Sequence, residues 1–468
     1  MDADVIVVGA GPVGLLLAAE VRLGGGRAVV LERLAEPAPE RKARGIGALA
    51  TEALWRRGLG PQLEAADPEG ARDFARDHGT ELGHFADIHK LVPDPLRRGT
   101  KIWQPDLERL LTAHAEALGV RILRGHEVVA VEADADQVTV VAKTFEGEQR
   151  LCADYLVGCD GGRSTVRKLA GFGFPGTPAL LRTIAGEVRF GGAVPESGRY
   201  AGGTFQRGGS LAGVTEPARE DVPVTAAGLA TAIRRVTGTD VVVEDLREPR
   251  DFTDQARQAD TYRRGRVLLA GDAAHVHSPS GGQGLNLGLV DAMNLGWKLA
   301  AVLRGAAPAL LDTYTRERHP AAEAVLRNTR AQSALLAPGP HVDALRDIVG
   351  ELMDIPAVNR YFGELLSGVD QRYELPYPTT GPVGRHSPDV ELVDEHGVRT
   401  RLHEHLRTGR GLLVVTPEQR VNYATDRVRI LTATNTGPWL VRPDGVVAWA
   451  EGDRQSLEVA LDTWFPAG

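Results

Sequence analysis

Near its N-terminus the chain passes from a strand through a glycine turn into a helix, at a spacing that few folds accommodate. Asp4-Val-Ile-Val-Val8 is a short, mostly apolar run rich in β-branched residues, which suits a strand buried on both faces. It runs directly into Gly9-Ala-Gly11-Pro-Val-Gly14, and Leu15 to Val21 then reads as a helix. A second strand, Arg27 to Leu31, ends at Glu32, about 20 positions beyond the turn, where a ribose-binding acid is expected. Gly9 allows the tight turn, Gly11 lets the backbone approach a pyrophosphate, and Gly14 lets the helix pack on the strand. The helix N-terminus then offers free N–H groups and a positive dipole end. This reads as dinucleotide binding.

The glycine spacing alone is weak. Gly45-Ile-Gly47-Ala-Leu-Ala50 and Gly171-Phe-Gly173-Phe-Pro-Gly176 fit it as well, yet neither follows an apolar strand. Both read as turns. Composition excludes more than it assigns. With 54 basic and 62 acidic residues the net charge is −8, which argues against a duplex nucleic-acid binder. Two cysteines, Cys152 and Cys159, are too few for a disulfide scaffold or a paired zinc site, so no metal is expected. The apolar N-terminal run lacks a basic leader and is broken by glycine and proline, so it does not read as a signal peptide. No uncharged apolar run reaches the roughly 18 residues of a membrane span. The expectation is a soluble, cytoplasmic protein of two or three domains.

Two further sites repeat the pattern of a strand meeting glycine and an acid. A helix from about Pro105 to Leu118, with Gln104 at its edge, precedes strands at Glu127 to Glu132, Val138 to Lys143 and Gln149 to Val157. The last of these delivers Gly158-Cys-Asp160-Gly-Gly-Arg163-Ser164-Thr-Val-Arg167. Farther on, Arg266-Val-Leu-Leu-Ala-Gly271-Asp272-Ala-Ala-His275 is followed by Ser278-Pro-Ser-Gly281-Gly-Gln283-Gly-Leu-Asn286 and a long apolar helix reaching about Arg304. Arg163, Ser164 and Arg167 suit local capping as well as binding. His275 and His277 sit in a glycine-proline turn without a metal-spaced partner, and both read as structural. The two cysteines read as packing thiols.

These three ordered motifs resemble the single-component FAD-dependent aromatic hydroxylases, the class A flavin monooxygenases, and within them the hydroxylases of aromatic polyketides and rifampicin monooxygenase. The resemblance covers nearly the whole chain. It implies a discontinuous α/β, Rossmann-like FAD-binding domain over residues 1–175 and 256–375. A β-sheet substrate domain would be inserted at 176–255, with about 71–98 contributing to the substrate side. A thioredoxin-like domain would occupy 385–468; no cysteine occurs beyond residue 159, so it cannot do dithiol chemistry. Carried onto matching positions, Gly9, Gly11, Pro12, Val13 and Gly14 would hold the FAD pyrophosphate. Glu32 would take the adenosine ribose, with Arg33 and Arg44 beside it, and Gln104 would lie near the ribityl chain. Asp160, Gly271 and Asp272 would belong to the FAD site as well. Pro279, Gly282, Gly284, Leu285 and Asn286 would run along the isoalloxazine ring.

No catalytic side chain is assigned, because the flavin carries the chemistry. The implied reaction is NAD(P)H- and O2-dependent oxygenation of a polycyclic aromatic substrate through a flavin C4a-hydroperoxide, in secondary-metabolite biosynthesis. Baeyer–Villiger or epoxidising oxygenation, or inactivation of an aromatic antibiotic, is the alternative on the same scaffold. NADPH is expected over NADH, with Arg33 and Arg44 available for a 2′-phosphate, and the protein is expected to be a monomer or homodimer. Phe205 is the one residue named for the substrate. One departure stands out: Leu49 occupies the position where the family pattern has arginine.

Overall fold

Val5 to Val8 form strand β1, and all four residues are buried, as expected of a strand covered on both faces. Parallel to it lie β2 (Ala28–Glu32) on one side and β4 (Tyr155–Gly158) on the other. The sheet continues in parallel through β3 (Arg121–Arg124) beyond β2 and β9 (Val267–Leu269) beyond β4, and ends at Arg263–Arg264, which pairs antiparallel with β9. The computed structural model describes residues 2–38, 43–66, 83–92, 94, 97, 99–219, 223–419, 426–451 and 456–466. The segment 71–98, expected on the substrate side, thus lies largely outside the described residues.

Helix α1 (Pro12–Leu23) covers this sheet together with α3 (Gln104–Ala117) and α6 (Gln283–Leu303). From Leu287 to Ala300 every residue of α6 is buried, so it is a core helix rather than a surface one. Close approach of the helices depends on small residues. A Cβ at Gly296 would stand 2.3 Å from Glu20 Cβ, and one at Gly24 2.3 Å from Ala300 Cβ. The buried Glu20 carboxylate is held by Arg57 at 2.5 and 2.6 Å, two residues beyond α2 (Ala48–Trp55).

The single strand expected at Gln149 to Val157 is two. Gly147–Ala153 pairs antiparallel with Val138–Thr144, whereas β4 enters the parallel sheet. The chain changes sheets at Asp154, a change that a continuous apolar pattern does not mark. The Gly45-Ile46-Gly47 segment also differs from the turn expected of it: Gly47 is the N-cap of α2.

The second unit is an antiparallel sheet of Gly198–Tyr200, β6 (Gly203–Gly208), β7 (Leu211–Pro217), β5 (Leu181–Phe190) and β8 (Val243–Thr253), in that order. Helix α5 (Ala226–Thr237) packs its Leu229, Ala232, Ile233 and Val236 on one face. The third unit orders its strands as β11 (Val428–Thr432), β10 (Gly411–Val415), β12 (Trp439–Val441) and β13 (Val447–Ala450). Its first pair is parallel and the others antiparallel, and helix α8 (Leu457–Trp464) closes it. Trp464 and Phe465 pack against Trp297 of α6, so this helix serves the core of the first unit through Leu295 and Leu299 and a second core through Trp297. Among the described residues, no helix is long and apolar enough to cross a membrane.

Candidate functional site

The C-terminal ends of β1, β2, β4 and β9 open on one cleft of about 850 Å³, the place where parallel α/β sheets take ligands. The three glycines of the first turn divide their labour there. Gly9 has φ +108°, and a Cβ on it would stand 2.4 Å from Cys159 O; one on Gly14 would stand 2.0 Å from Gly9 O. Both are demanded by packing. Gly11 is different: its backbone is extended (φ −75°, ψ 176°), and a Cβ there would meet no protein atom within 4 Å. Nothing in the protein requires glycine at this position. What its missing side chain leaves open is the cleft itself, in front of the N-terminus of α1, which has no side-chain cap.

A second uncapped N-terminus, that of α6, faces the same cleft through Gly282 and Gly284. Two sets of orphan N–H groups therefore border one space, a ready-made setting for negative charge. Gly9, Gly11, Pro12, Val13, Glu32, Arg33, Arg44, Gln104, Asp160, Asp272, Pro279, Gly282, Gly284 and Leu285 all line it. Gly14, Gly271 and Asn286 stand behind that lining. Asn286 donates to Gly282 O at 2.8 Å and accepts from Gly47 N at 2.5 Å, so it braces the α6 loop against α2 instead of facing the cleft. Gly271 donates its N–H to Asp291 Oδ2 at 3.1 Å.

The acids are already at work. Glu32 Oε2 accepts from Ala10 N at 2.8 Å and Oε1 from Leu34 N at 2.9 Å, which ties the second strand to the glycine turn. Asp160 accepts from Ser164 Oγ at 2.5 Å and from the N–H groups of Thr165 and Val166 at 2.6 and 3.1 Å. It thereby caps the short helix α4 (Thr165–Leu169). Ser164 caps Arg167 N, and Arg167 donates to Ala273 O and Gly162 O, the local bracing expected of both. Arg163 lines the cleft. Burial pushes the Cys159 thiol up, which leaves it a packing group. Asp272 is exposed on the cleft wall. Gln104 donates to Glu108 at 2.8 Å, and the Arg44 guanidinium lies 5.5 Å from the centre of the Trp103 ring. Leu49 is buried, so the site has no cation at that position.

His277 was not expected in the lining, yet it is there. Its Nδ1 lies 2.7 Å from Ser278 O, which makes Nδ1 the donor, and its Nε2 is buried without a partner. Burial lowers its pKa, so a neutral ring offers an unused acceptor. His275, by contrast, is fully buried, with Nε2 2.7 Å from Asp291. Gly45 also lines the cleft, although its glycine pattern read only as a turn.

Phe205 is a correction. It is fully buried on β6, packs with Phe190, and belongs to the core between sheet and α5. Strand alternation sends its neighbour Gln206 to the other face, where its amide donates to Asp87 at 2.8 Å. The face not covered by α5 is that of Gln206.

Behind the site runs a buried polar layer that sequence reasoning missed. Asp291 Oδ1 accepts from Arg318 Nε at 2.7 Å, and Arg318 donates onward to Tyr373 at 2.7 Å. One turn farther along α6, Lys298 and Asn294 meet Glu317 of α7 (Asp312–Leu336), at 3.0 and 2.6 Å. Arg442 clamps Glu317 at 2.7 and 2.8 Å and Asp444 at 2.5 and 3.1 Å. The available signal was Asp291, Asn294 and Lys298 spaced along an otherwise apolar helix, since charges survive there only when paired.

Burial raises the Glu317 carboxyl, but Arg442 and Lys298 outweigh it and hold the group at about 2, below its usual 4.5. A depressed carboxylate stabilises the fold fully above pH 4.5 and ceases to do so as pH falls through about 2. Urea midpoints are therefore expected to fall between pH 5 and pH 2.5, and Glu317→Gln is expected to flatten that fall. An equally steep decline in the variant would remove Glu317 from the account.

Two family models match the chain: an FAD binding domain over residues 2–199 and 210–329, and an aromatic-ring hydroxylase C-terminal domain over 380–467. The chain is 40% identical to a 12-dehydrotetracycline 5-monooxygenase/anhydrotetracycline 6-monooxygenase of Streptomyces rimosus subsp. rimosus, over 99% of each chain. It is 41% identical to a rifampicin monooxygenase of Streptomyces venezuelae, again over 99% of each. The solved structure of the anhydrotetracycline hydroxylase OxyS from Streptomyces rimosus matches with a TM-score of 0.90 at 40% identity, covering 100% of both chains.

Proposed function

Because the chain belongs to the FAD-binding aromatic-ring hydroxylases, a family of flavin-dependent monooxygenases, we propose that it hydroxylates a polycyclic aromatic, polyketide-type substrate with NADPH and O2. The observation that carries this reading is the cleft with two uncapped helix N-termini and an open Gly11. When bound, FAD supplies reduction by a nicotinamide and activation of O2. The protein's part is to bind, orient and exclude water.

The residues present fit that group. Gly11 and the N-terminus of α1 would take the pyrophosphate. Glu32 would take the adenosine ribose, since each of its oxygens keeps a lone pair beyond the backbone contacts described. The N-terminus of α6, with Pro279, Gly282, Gly284 and Leu285, would stabilise negative charge at the other end of the cleft. Asp160 acts through the loop it caps. Arg33 and Arg44 give the cleft two cations for a 2′-phosphate. The FAD-binding unit would comprise 1–175 and 256–375, and the sheet unit at 176–255 would cover the ring end. The cysteine-free unit at 385–468, read as thioredoxin-like, serves as a scaffold.

The test is turnover of purified, FAD-loaded protein with tri- and tetracyclic aromatic polyketides under 18O2. Substrate-dependent NADPH oxidation and a product carrying one 18O are expected, with NADH less effective. No reduction by either nicotinamide with any substrate, or products without 18O, would sink the reading. A ring-expanded lactone would replace hydroxylation by Baeyer–Villiger insertion.

A further inference from the structure

Between Gly282 and Gly284, which line the cleft, stands Gln283, which does not. It is the first residue of α6 and only 4% exposed. Its amide is spent on partners outside the lining. Nε2 donates to Leu365 O and Leu366 O, both at 3.1 Å, in the helix Pro356–Ser367. Oε1 accepts from Asn328 Nδ2 of α7 at 2.6 Å.

From Asn328 the amides continue. Asn328 Oδ1 accepts from Gln332 Nε2 at a longer 3.5 Å, and Gln332 Oε1 accepts from Ala86 N at 3.2 Å. Gln283, Asn328 and Gln332 are all buried, and both ends of each amide have a partner. The series ends at a two-residue turn between Gly83–Phe85 and Ile88–Leu91, where Ala86 and Asp87 have φ 50° and 60°. A left-handed alanine is strained and persists only where its surroundings fix it. Here Gln332 holds its N–H, and Arg346 donates to its carbonyl at 2.6 Å. The flavin-side loop is pressed against the same groups: a Cβ on Gly281 would stand 2.8 Å from Leu366 Cδ2 and 3.1 Å from Gln332 Nε2.

An apolar residue at 283 would fill the space equally well, and a buried amide is costly unless it is bonded. What three bonded amides add is direction. The N-terminus of α6 has no side-chain cap, and Gly281 and Gly282 before it are both left-handed, so the loop itself is the least constrained part of the helix end. Asn286 braces it toward α2, and Gln283 braces it toward α7. We propose that Gln283 and Asn328 are positioning residues, holding the N-terminus of α6 where its free N–H groups stabilise the negative charge of a reduced flavin. This rests on FAD lying in the cleft with its ring toward α6.

The test is the midpoint potential of bound FAD in the full-length protein, titrated with dithionite against a reference dye. Neither nicotinamide nor substrate is needed, so the result does not depend on what the protein oxygenates. Gln283→Leu is expected to lower the potential by about 30 mV, a tenfold loss of preference for the reduced form in a two-electron couple. Oxidised FAD should bind within about threefold of wild type, because the pyrophosphate is held at α1. The substitution also strands the Asn328 amide, which lowers stability. Gln283→Leu/Asn328→Leu removes both partners and is expected to regain much of the urea midpoint while the potential stays low. A potential that returns with the stability would make the pair merely structural and overturn the proposal. So would a wild-type potential in Gln283→Leu. Should that variant not fold, Asn328→Ala decides, since Gln283 keeps its bonds to Leu365 and Leu366 there, and an unchanged potential in it overturns the proposal. Wild-type protein that takes up no FAD would overturn the FAD reading itself.

Discussion

Gly11→Val is expected to yield a folded protein that retains less than about a tenth of the wild-type FAD, because its side chain occupies the approach to a helix N-terminus. The expectation is specific because the fold tolerates the change. Gly11 has φ −75° and ψ 176°, a conformation open to any residue and favoured before proline, and a Cβ there meets nothing within 4 Å. The neighbouring glycines provide the contrast. Valine at Gly9 or Gly14 begins with a Cβ 2.4 or 2.0 Å from a backbone oxygen, and both variants are expected to lose the fold along with the flavin. Circular dichroism and flavin absorbance on the three purified variants separate these outcomes. Full flavin occupancy in folded Gly11→Val would remove the pyrophosphate from this position.

Arg442→Met is expected to destabilise the protein by about 3–5 kcal/mol, the usual cost of stranding a buried charge. Arg442, Glu317, Asp444 and Lys298 are all buried, and without Arg442 two carboxylates face one ammonium. Methionine keeps most of the volume, so the loss reports charge rather than a cavity. Adding Glu317→Gln leaves Lys298 and Asp444, one charge of each sign, and should recover part of the loss. Urea unfolding of the single and double variants forms the test. A loss below about 1 kcal/mol, or no recovery in the double variant, would mean that the layer does not hold the units together.

What was legible in the sequence was local. The β1 turn and α1, the Glu32 spacing, the two later glycine loops and the core helix α6 each show in a stretch of a few residues. A strand patterned for burial next to glycine leaves little choice of fold. The rest depended on distant partners. Glu317 and Arg442 lie 125 positions apart, and nothing near either one names the other. Phe205 was misplaced because alternation separates two faces of a strand without saying which one α5 covers. Gly45 and Gly47 were passed over because no strand precedes them. What ties their segment to the α6 loop beside the cleft is the distant Asn286, through its bonds to Gly47 and Gly282.

The polar layer behind the cleft also sets an order of events during synthesis. Helices α6 and α7 leave the ribosome with Asp291, Lys298, Glu317 and Arg318 already in place. The cation that completes the layer follows 125 residues after Glu317. Until it emerges, the nascent FAD-binding unit has an unfinished wall that water must solvate. The last charges of the layer, Arg442 and Asp444, come from the third unit, so the layer closes only when that unit docks.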